Sequence, residues 1–291
     1  MMEQGRILQS IGGFYRVESA GTVYLCRACG LFRQKKQTPL VGDLALFEPQ
    51  PDGTGTVWEL LPRRNELRRP PLANVDVQLI VSSVRDPAPD ALLLDKMIAL
   101  AEQQDIEPVM VFTKADLEDT APWEEIYRKA GLPVFSVTVQ DPETARPLRA
   151  CLQGRICAFT GNTGVGKSSL LNLIDPAWQR DTGEISRKLG RGRHTTRSAE
   201  LLPFAGGYLA DTPGFSSLEM DMQMRPEALE GCFREFAGRE QHCRFRGCTH
   251  TKEPGCAVRQ AAEQGEIAPS RYQSYLALYE YLRRQKPWEK R

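Results

Sequence analysis

No stretch of this 291-residue sequence approaches the roughly 20 consecutive apolar residues that a bilayer-crossing helix needs. The opening residues, Met1-Met2-Glu3-Gln4-Gly5-Arg6, lack the hydrophobic core of a signal peptide. Secretion and membrane insertion are therefore not expected, and the chain is read as cytoplasmic. It has no internal repeat and no long low-complexity segment. Neither sign of charge dominates: 38 Lys and Arg stand against 37 Asp and Glu, a formal net charge of +1. Hydrophobic residues at 41% and charged residues at 26% form an ordinary globular mix, which excludes a mainly disordered chain. The length suits one large domain or two to three smaller ones.

What is present is unevenly spread. Residues 1–70 carry ten Lys/Arg against seven Asp/Glu and residues 240–291 ten against six, whereas 71–239 hold eighteen against twenty-four. Basic ends around an acidic centre fit arms that touch a polyanion; chance surface charge is the plainer alternative. Eight cysteines occur, at 26, 29, 151, 157, 232, 243, 248 and 256. In a cytoplasmic chain disulfides are not expected, so clusters are tested first as metal ligands.

The first seventy residues read as β. Runs such as Phe14-Tyr15-Arg16-Val17, Thr22-Val23-Tyr24-Leu25 and Asp43-Leu44-Ala45-Leu46-Phe47 alternate with turn formers. About five short strands in this length suit a small barrel of the oligonucleotide-binding (OB) or the SH3-like kind. Residues 63–71, basic and ending in a Pro pair, read as a linker. From Val75 the pattern changes: apolar runs at 75–81, 109–112, 133–137, 156–159 and 208–210 alternate with helical stretches at 91–103 and 167–174. Such alternation predicts βαβ units and a parallel sheet, with ligands expected where the strands end. After about Leu218 the chain reads as helical and Cys/His-bearing, with Tyr275, Leu278, Tyr279 and Leu282 at helical spacing.

Gly161-Asn162-Thr163-Gly164-Val165-Gly166-Lys167-Ser168 matches the phosphate-binding loop (P-loop) pattern and lies between an apolar strand and a helix beginning near Ser169. Its glycines let backbone N–H groups close around phosphates, and the helix N-terminus favours negative charge. Lys167 would bridge the β- and γ-phosphates and Ser168 would ligate Mg²⁺. Asp211-Thr212-Pro213-Gly214 ends the run 208–210; there Asp211 would hold Mg²⁺ through water and the Gly214 N–H would bind a γ-phosphate.

Thr113-Lys114-Ala115-Asp116 and Ser136-Val137-Thr138 each follow an apolar strand and are similar to the guanine-reading elements of GTP-binding proteins. An Asp carboxylate accepts from guanine N1–H and its amine, the Lys stem covers the base, and a Ser backbone N–H meets O6. Thr113 stands where Asn is usual, which puts the local hydrogen bond of that position in question. The order is unusual as well: base-reading elements at 113–116 and 136–138 precede the P-loop at 161–168, and DTPG follows at 211–214. A site assembled from loops at one sheet edge tolerates any chain order, so this is the pattern of a circularly permuted GTPase.

Gly190-Arg191-Gly192-Arg193-His194-Thr195-Thr196-Arg197 lies where a first switch loop belongs, and either Thr195 or Thr196 would complete the Mg²⁺ shell. Phe215 follows DTPG in place of a water-orienting Gln, so another group must orient the nucleophile, and His194 is the nearest candidate in the sequence. Cys243, Cys248, His250 and Cys256 supply three thiolates and an imidazole within fourteen residues, a set for one tetrahedral structural Zn²⁺. His242 is an alternative ligand but adjoins Cys243. Cys26 and Cys29 have no second pair nearby and read as strand cysteines.

Together the permuted motifs, the GRGRHTT segment, the N-terminal β region and the Cys₃His set resemble the bacterial ribosome small-subunit-dependent GTPase family, the RsgA type, over almost the whole chain. The resemblance implies an α/β fold with three parts: an OB-fold RNA-binding barrel at 1–70, a circularly permuted P-loop GTPase domain at 71–218 and a helical zinc-binding domain at 219–291. It implies GTP hydrolysis to GDP and phosphate, stimulated by the small (30S) ribosomal subunit during its late maturation, with His194 catalytic alongside Lys167 and Gly214. Nucleotide contacts are expected from Thr113, Lys114, Asp116, Ser136, Val137, residues 161–169 including Ser169, and Asp211, with Ser168 and one of Thr195 and Thr196 on Mg²⁺. Arg33, Lys35, Lys36, Arg244 and Arg246 are expected to grip phosphates of 16S rRNA, in a protein that works as a monomer without a membrane partner. A nucleotide-stabilised RNA-binding scaffold and a permuted GTPase of large-subunit assembly are the competing readings.

Overall fold

The alternation of apolar and polar residues in the first sixty positions sends one side chain of every pair inward, and the strands that result close on themselves. A computed structural model describes residues 1–30, 32, 37–68, 70–175, 199–211 and 222–285, which fall into two compact units. The first comprises residues 1–78, 149–159 and 175–215, and the second residues 79–148, 160–174 and 216–291.

In the first unit, β1 (Glu3–Ile11), β2 (Phe14–Ser19), β3 (Thr22–Ala28), β4 (Leu44–Pro49) and β5 (Thr54–Leu60) form a barrel. β1 pairs antiparallel with β2 and β4, β2 with β3, and β4 with β5, while β3 and β5 run parallel. The β1–β4 pair closes the ring, giving the OB topology rather than the SH3-like one. Ile7, Val17, Cys26, Ala45, Phe47 and Val57 fill the interior with no exposed surface. Cys26 sits in β3 facing that core, whereas Cys29, read as a strand cysteine, lies just past the end of β3 and donates to the Trp58 carbonyl.

The segment read as a linker at 63–71 is instead a folded hairpin. β6 (Glu66–Arg68) pairs with β7 (Pro71–Ala73), and Leu72 is fully buried. Arg63 anchors it by a two-pronged bond to the buried Asp43, Nε to Oδ1 at 2.7 Å and Nη2 to Oδ2 at 2.8 Å. Asn65 adds a pair of bonds to the backbone N–H and C=O of Val75, at 2.9 and 2.8 Å. The same unit holds β11 (Ile156–Thr160) and β13 (Gly207–Asp211), which are parallel. β12 (Glu200–Phe204), a strand absent from the sequence expectation, pairs antiparallel with β13 and touches β1 at Gln9.

The second unit is built around β8 (Val77–Ser83), buried along its whole length, beside β9 (Glu107–Thr113), which pairs in parallel with β10 (Val134–Ser136). Burial on both faces explains why these strands read as continuous apolar runs. Helix α1 (Ala91–Gln103) starts where Asp90 accepts the N–H of Leu93, and its bounds match the sequence expectation. Helices α2 (Ala121–Lys129), α3 (Arg146–Leu152) and α4 (Lys167–Ile174) follow in chain order. From 222 onward the expected helical region consists first of four short 3₁₀ turns and then of α5 (Ala257–Glu263) and α6 (Pro269–Arg284). Tyr275, Leu278, Tyr279 and Leu282 of α6 are all buried, against Phe233 and Phe236.

One buried ionic group joins this last region to α1. Arg271 of α6, 1% exposed, donates to Asp95 of α1 at 2.8 Å and to both carboxylate oxygens of Glu235 at 2.7 and 3.0 Å. Burial pushes the Asp95 carboxyl up, against the pull of Arg271. Removing the guanidinium would strand two buried carboxylates, so Arg271→Ala is expected to destabilise the fold by about 3–5 kcal/mol. Arg271→Lys would recover only part of that, since an ammonium cannot serve both acids in a plane. Denaturant midpoints for the two variants check this.

Candidate functional site

The P-loop is shaped by close approaches that only glycine permits. Gly161 has φ 147°, and a Cβ there would lie 2.2 Å from the Val81 carbonyl oxygen. The loop can therefore pass directly over the end of β8. Val165 turns its side chain into the core, so its expected nucleotide contact is restricted to the backbone. Lys167 opens α4 and donates from Nζ to the carbonyls of Gly161 and Asn162, each at 2.7 Å. Burial pushes its ammonium pKa down, a cost that phosphate oxygens beside it would offset. Ser168 and Ser169 are exposed in the first turn of α4, and Thr163 and Gly164 are exposed on the loop.

Thr113 answers the question its identity raised. Its hydroxyl donates to the Val165 carbonyl at 2.5 Å, with Ser82 O a further 3.4 Å neighbour, and it is 5% exposed. Base-reading loop and P-loop, 52 residues apart in the chain, are thus tied by one buried bond. A side-chain amide is not needed there, because a hydroxyl also supplies a donor. Lys114 takes a positive φ of 57° and donates to the carbonyls of Arg85 (3.2 Å) and Asp86. Asp116 is exposed and accepts from the Thr138 hydroxyl, while Ala115 N–H bonds Val137 O at 3.2 Å. The two base-reading elements are therefore joined to each other as well.

Ser136 belongs to β10 and its hydroxyl is given to Glu124. The Val137 N–H donates to Phe112 O at 2.8 Å and the Thr138 N–H to Thr144 Oγ1 at 3.1 Å. Both backbone donors after Ser136 are thus engaged locally. Asp211 closes β13, a parallel neighbour of the strand that leads into the P-loop. Gly214, His194, Thr195, Thr196 and Phe215 lie outside the described residues, as do Arg33, Lys35 and Lys36.

The expected metal ligands converge. Donor atoms of Cys243, Cys248, His250 and Cys256 all lie within 4.8 Å of one another. His250 Nδ1 is 3.6 Å from Cys243 Sγ and 3.4 Å from Cys256 Sγ. Tetrahedral zinc at about 2.3 Å from sulfur and 2.0–2.1 Å from nitrogen needs S···N separations near 3.5 Å, so the set fits the ion. His242 is exposed and is not among the four. Burial pushes the Cys248 thiol up to about 12, a preference that a bound divalent cation reverses by holding thiolates.

Supports that the spacing did not announce surround these ligands. His250 Nε2 faces Glu230 Oε2 at 3.0 Å, which orients the ring with Nδ1 toward the sulfurs. Tyr272 and Tyr275 donate to the carbonyls of His250 and Thr249 at 2.8 and 2.9 Å. Glu253 accepts from the N–H groups of Thr249, Thr251 and Lys252 and the Thr249 hydroxyl, and these bonds hold its carboxyl down at about 2.

Two outcomes follow from these contacts. Thr113→Ala leaves Val165 O without its donor and is expected to weaken guanine-nucleotide affinity about tenfold, with Thr113→Asn near wild type, measured by titration calorimetry. The protein should carry one zinc per chain by elemental analysis, and Glu230→Ala should lower metal affinity about 10–100-fold in a chelator competition.

Residues 60–221 match the family described as RsgA GTPase, and residues 4–57 match the RsgA N-terminal domain. The small ribosomal subunit biogenesis GTPase RsgA of Caldanaerobacter subterraneus subsp. tengcongensis is 46% identical, over 99% of this chain and 97% of that protein. Its counterpart RsgA 2 of Oceanobacillus iheyensis is 44% identical, over 98% and 99%. The crystal structure of YjeQ from Thermotoga maritima is similar with a TM-score of 0.86 at 35% identity, covering 98% of this chain and all of that one. That of YloQ, titled a circularly permuted GTPase, gives 0.83 at 38% identity, with 99% and 97% covered. GTPases of this kind use Mg²⁺ with their nucleotide. With the 113–116 segment tied to the P-loop, an OB barrel earlier in the chain and a Cys₃His cluster later in it, this chain belongs to the RsgA GTPase family and is a GTP-hydrolysing enzyme.

Proposed function

We propose that this GTPase acts in late maturation of the small (30S) ribosomal subunit, binding 16S rRNA and turning over GTP in response to the particle. The observation that supports the reading is the Thr113–Val165 bond, which ties the 113–116 loop, proposed to read guanine, to the P-loop. The names of its relatives supply the particle.

In this reading the chain divides into an RNA-binding barrel at 1–70, the GTPase domain at 71–218 and the zinc domain at 219–291. Asp116 accepts from guanine, Lys114 covers the base, and residues 161–169 with Lys167 hold the phosphates. Ser168, Asp211 and one of Thr195 and Thr196 hold Mg²⁺, and Gly214 senses the γ-phosphate. Subunit docking brings His194 to the attacking water, and hydrolysis releases the protein from the particle. Arg33, Lys35 and Lys36 of the barrel and Arg244 and Arg246 of the zinc domain hold rRNA phosphates. The protein works as a cytoplasmic monomer.

Hydrolysis measured with and without purified small subunits tests the coupling. Wild-type turnover is expected to rise with subunits and to stay unchanged with large subunits. Lys167→Ala is expected to lose GTP in filter binding. His194→Ala is expected to keep GTP affinity while losing about 10²–10⁴-fold in stimulated turnover. Turnover indifferent to the particle sinks the reading.

A further inference from the structure

Five residues at the end of β8, Ser83-Val84-Arg85-Asp86-Pro87, belong to none of the motifs above, yet they close on Lys114. The Lys114 ammonium donates to the main-chain carbonyls of Arg85, at 3.2 Å, and of Asp86. Both acceptors are backbone atoms, so the path of the turn and not a side-chain rotamer decides where the ammonium sits. The backbone on either side of this contact is unusual. Lys114 has φ 57° and Asp86 φ 48°, left-handed values that residues with a Cβ avoid. Such conformations persist only where the surroundings impose them, and they gather at functional sites. Here two of them are bonded directly to each other, one inside the proposed base-reading loop.

Ser83 holds the turn. It is the last residue of β8, fully buried, and its hydroxyl donates to the Pro87 carbonyl at 2.6 Å. The strand end is fixed against the base-reading loop by the Val84 N–H, which donates to the Thr113 carbonyl at 3.2 Å. On its other side the turn stands against the P-loop, where a Cβ added at Gly164 would lie 3.8 Å from Pro87 Cδ, an ordinary contact distance. A serine bonded to the backbone a few residues on is a common way to close a turn. Closure alone, however, does not require the two carbonyls before Pro87 to converge on one ammonium 28 and 29 residues along the chain.

A free lysine is a poor cover for a base, because its four-carbon stem is flexible and ordering it consumes binding free energy. Anchored at Nζ, the stem is ordered before a nucleotide arrives. We infer that Ser83 is a positioning residue for nucleotide recognition: its hydroxyl sets the 85–87 turn, and the carbonyls of that turn hold the Lys114 stem where guanine stacks. The inference rests on the base-covering role proposed for Lys114 and extends it to the group that fixes that side chain. The stem would meet the base equally in GTP, in GDP and in the transition state. Its contribution is therefore uniform binding, which enters KM and not kcat.

Calorimetric titration of the full zinc-loaded chain with GDP, together with its steady-state GTP turnover, tests this. Ser83→Ala is expected to weaken GDP binding about 3–10-fold, the ordering cost of one long side chain. KM for GTP is expected to rise by a like factor while kcat holds. Ser83→Thr, which keeps the hydroxyl, is expected to bind GDP as wild type does. Lys114→Met keeps an unbranched stem that cannot donate to the carbonyls, and it is expected to lose at least as much as Ser83→Ala. The double variant is expected to bind no more weakly than Lys114→Met alone, since the serine acts only through the lysine. Should Ser83→Ala not fold, Ser83→Cys, close in size and a weak donor, makes the same comparison.

Losses that add in the double variant, or a fall in kcat, overturn the inference and leave Ser83 a purely structural role. Unchanged GDP binding by Ser83→Ala beside weakened binding by Lys114→Met overturns it too, with the base-covering role of Lys114 intact. Unchanged binding by Lys114→Met removes that role and the inference together.

Discussion

A single buried hydroxyl-to-carbonyl bond, Thr113 to Val165, ties together two loops that lie 52 residues apart in the chain. In the proposed reading one of them meets guanine and the other the phosphates, two chemically separate tasks that the bond joins. Burial makes the bond directional and costly to lose, because an unpaired carbonyl at that position would have no water to turn to. Around it the loops interlock further. Ala115 and Asp116 bond to Val137 and Thr138, and Lys114 reaches the carbonyls at 85 and 86. The Asp116 carboxylate is thus held by Thr138, and in its proposed base-reading role that would lower the ordering cost of binding.

The C-terminal region solves a different problem. Between 222 and 256 the chain makes only single 3₁₀ turns, so few of its backbone groups find partners in regular structure. Order comes instead from side chains aimed at the backbone, chiefly Glu253, Tyr272 and Tyr275, and from four ligands that a cation would lock together. Arg271 then fastens this irregular knot to α1. A buried guanidinium adds little net stability over an apolar substitute, yet it admits one arrangement of its two acids, so it selects an orientation of α6 on α1.

Local signals account for what could be read without coordinates. Asp90 caps α1 and the apolar periodicity carries it to Gln103, so both ends lie in the sequence itself. The P-loop and the Cys₃His spacing were legible for the same reason, since each packs its chemistry into fewer than fifteen residues. The hairpin at 66–73 was not, because its anchor is Asp43, twenty residues from Arg63, and a basic Pro-ended stretch resembles a linker when its partner is out of view. β12 escaped because five residues containing Pro203 carry a weak strand signal, and its pairing with β13 is tertiary information. The acceptors that the Val137 and Thr138 N–H groups find, Phe112 and Thr144, are likewise set by the fold. Glu230, which orients His250 from twenty residues away, had no signal in the sequence at all.

Permutation itself is nearly free in energy, and that bears on how the enzyme can be regulated. Closing a loop costs free energy that grows only with the logarithm of its length, about 0.6 kcal/mol per doubling, so a tie across 52 residues is hardly dearer in one chain order than in another. The constraint that remains is geometric: the strands of a parallel pair end at one edge, as β9 and β10 do within one unit and β11 and β13 within the other. What the new order changes is which segment follows which motif. With β9 and β10 upstream, no strand follows β13 among the described residues, and only seven residues separate Gly214 from Met222, which lies in the core of the C-terminal region. In an unpermuted order the base-reading elements would intervene. If Gly214 senses the γ-phosphate as proposed, that position is adjacent in the chain to the region that holds the metal cluster.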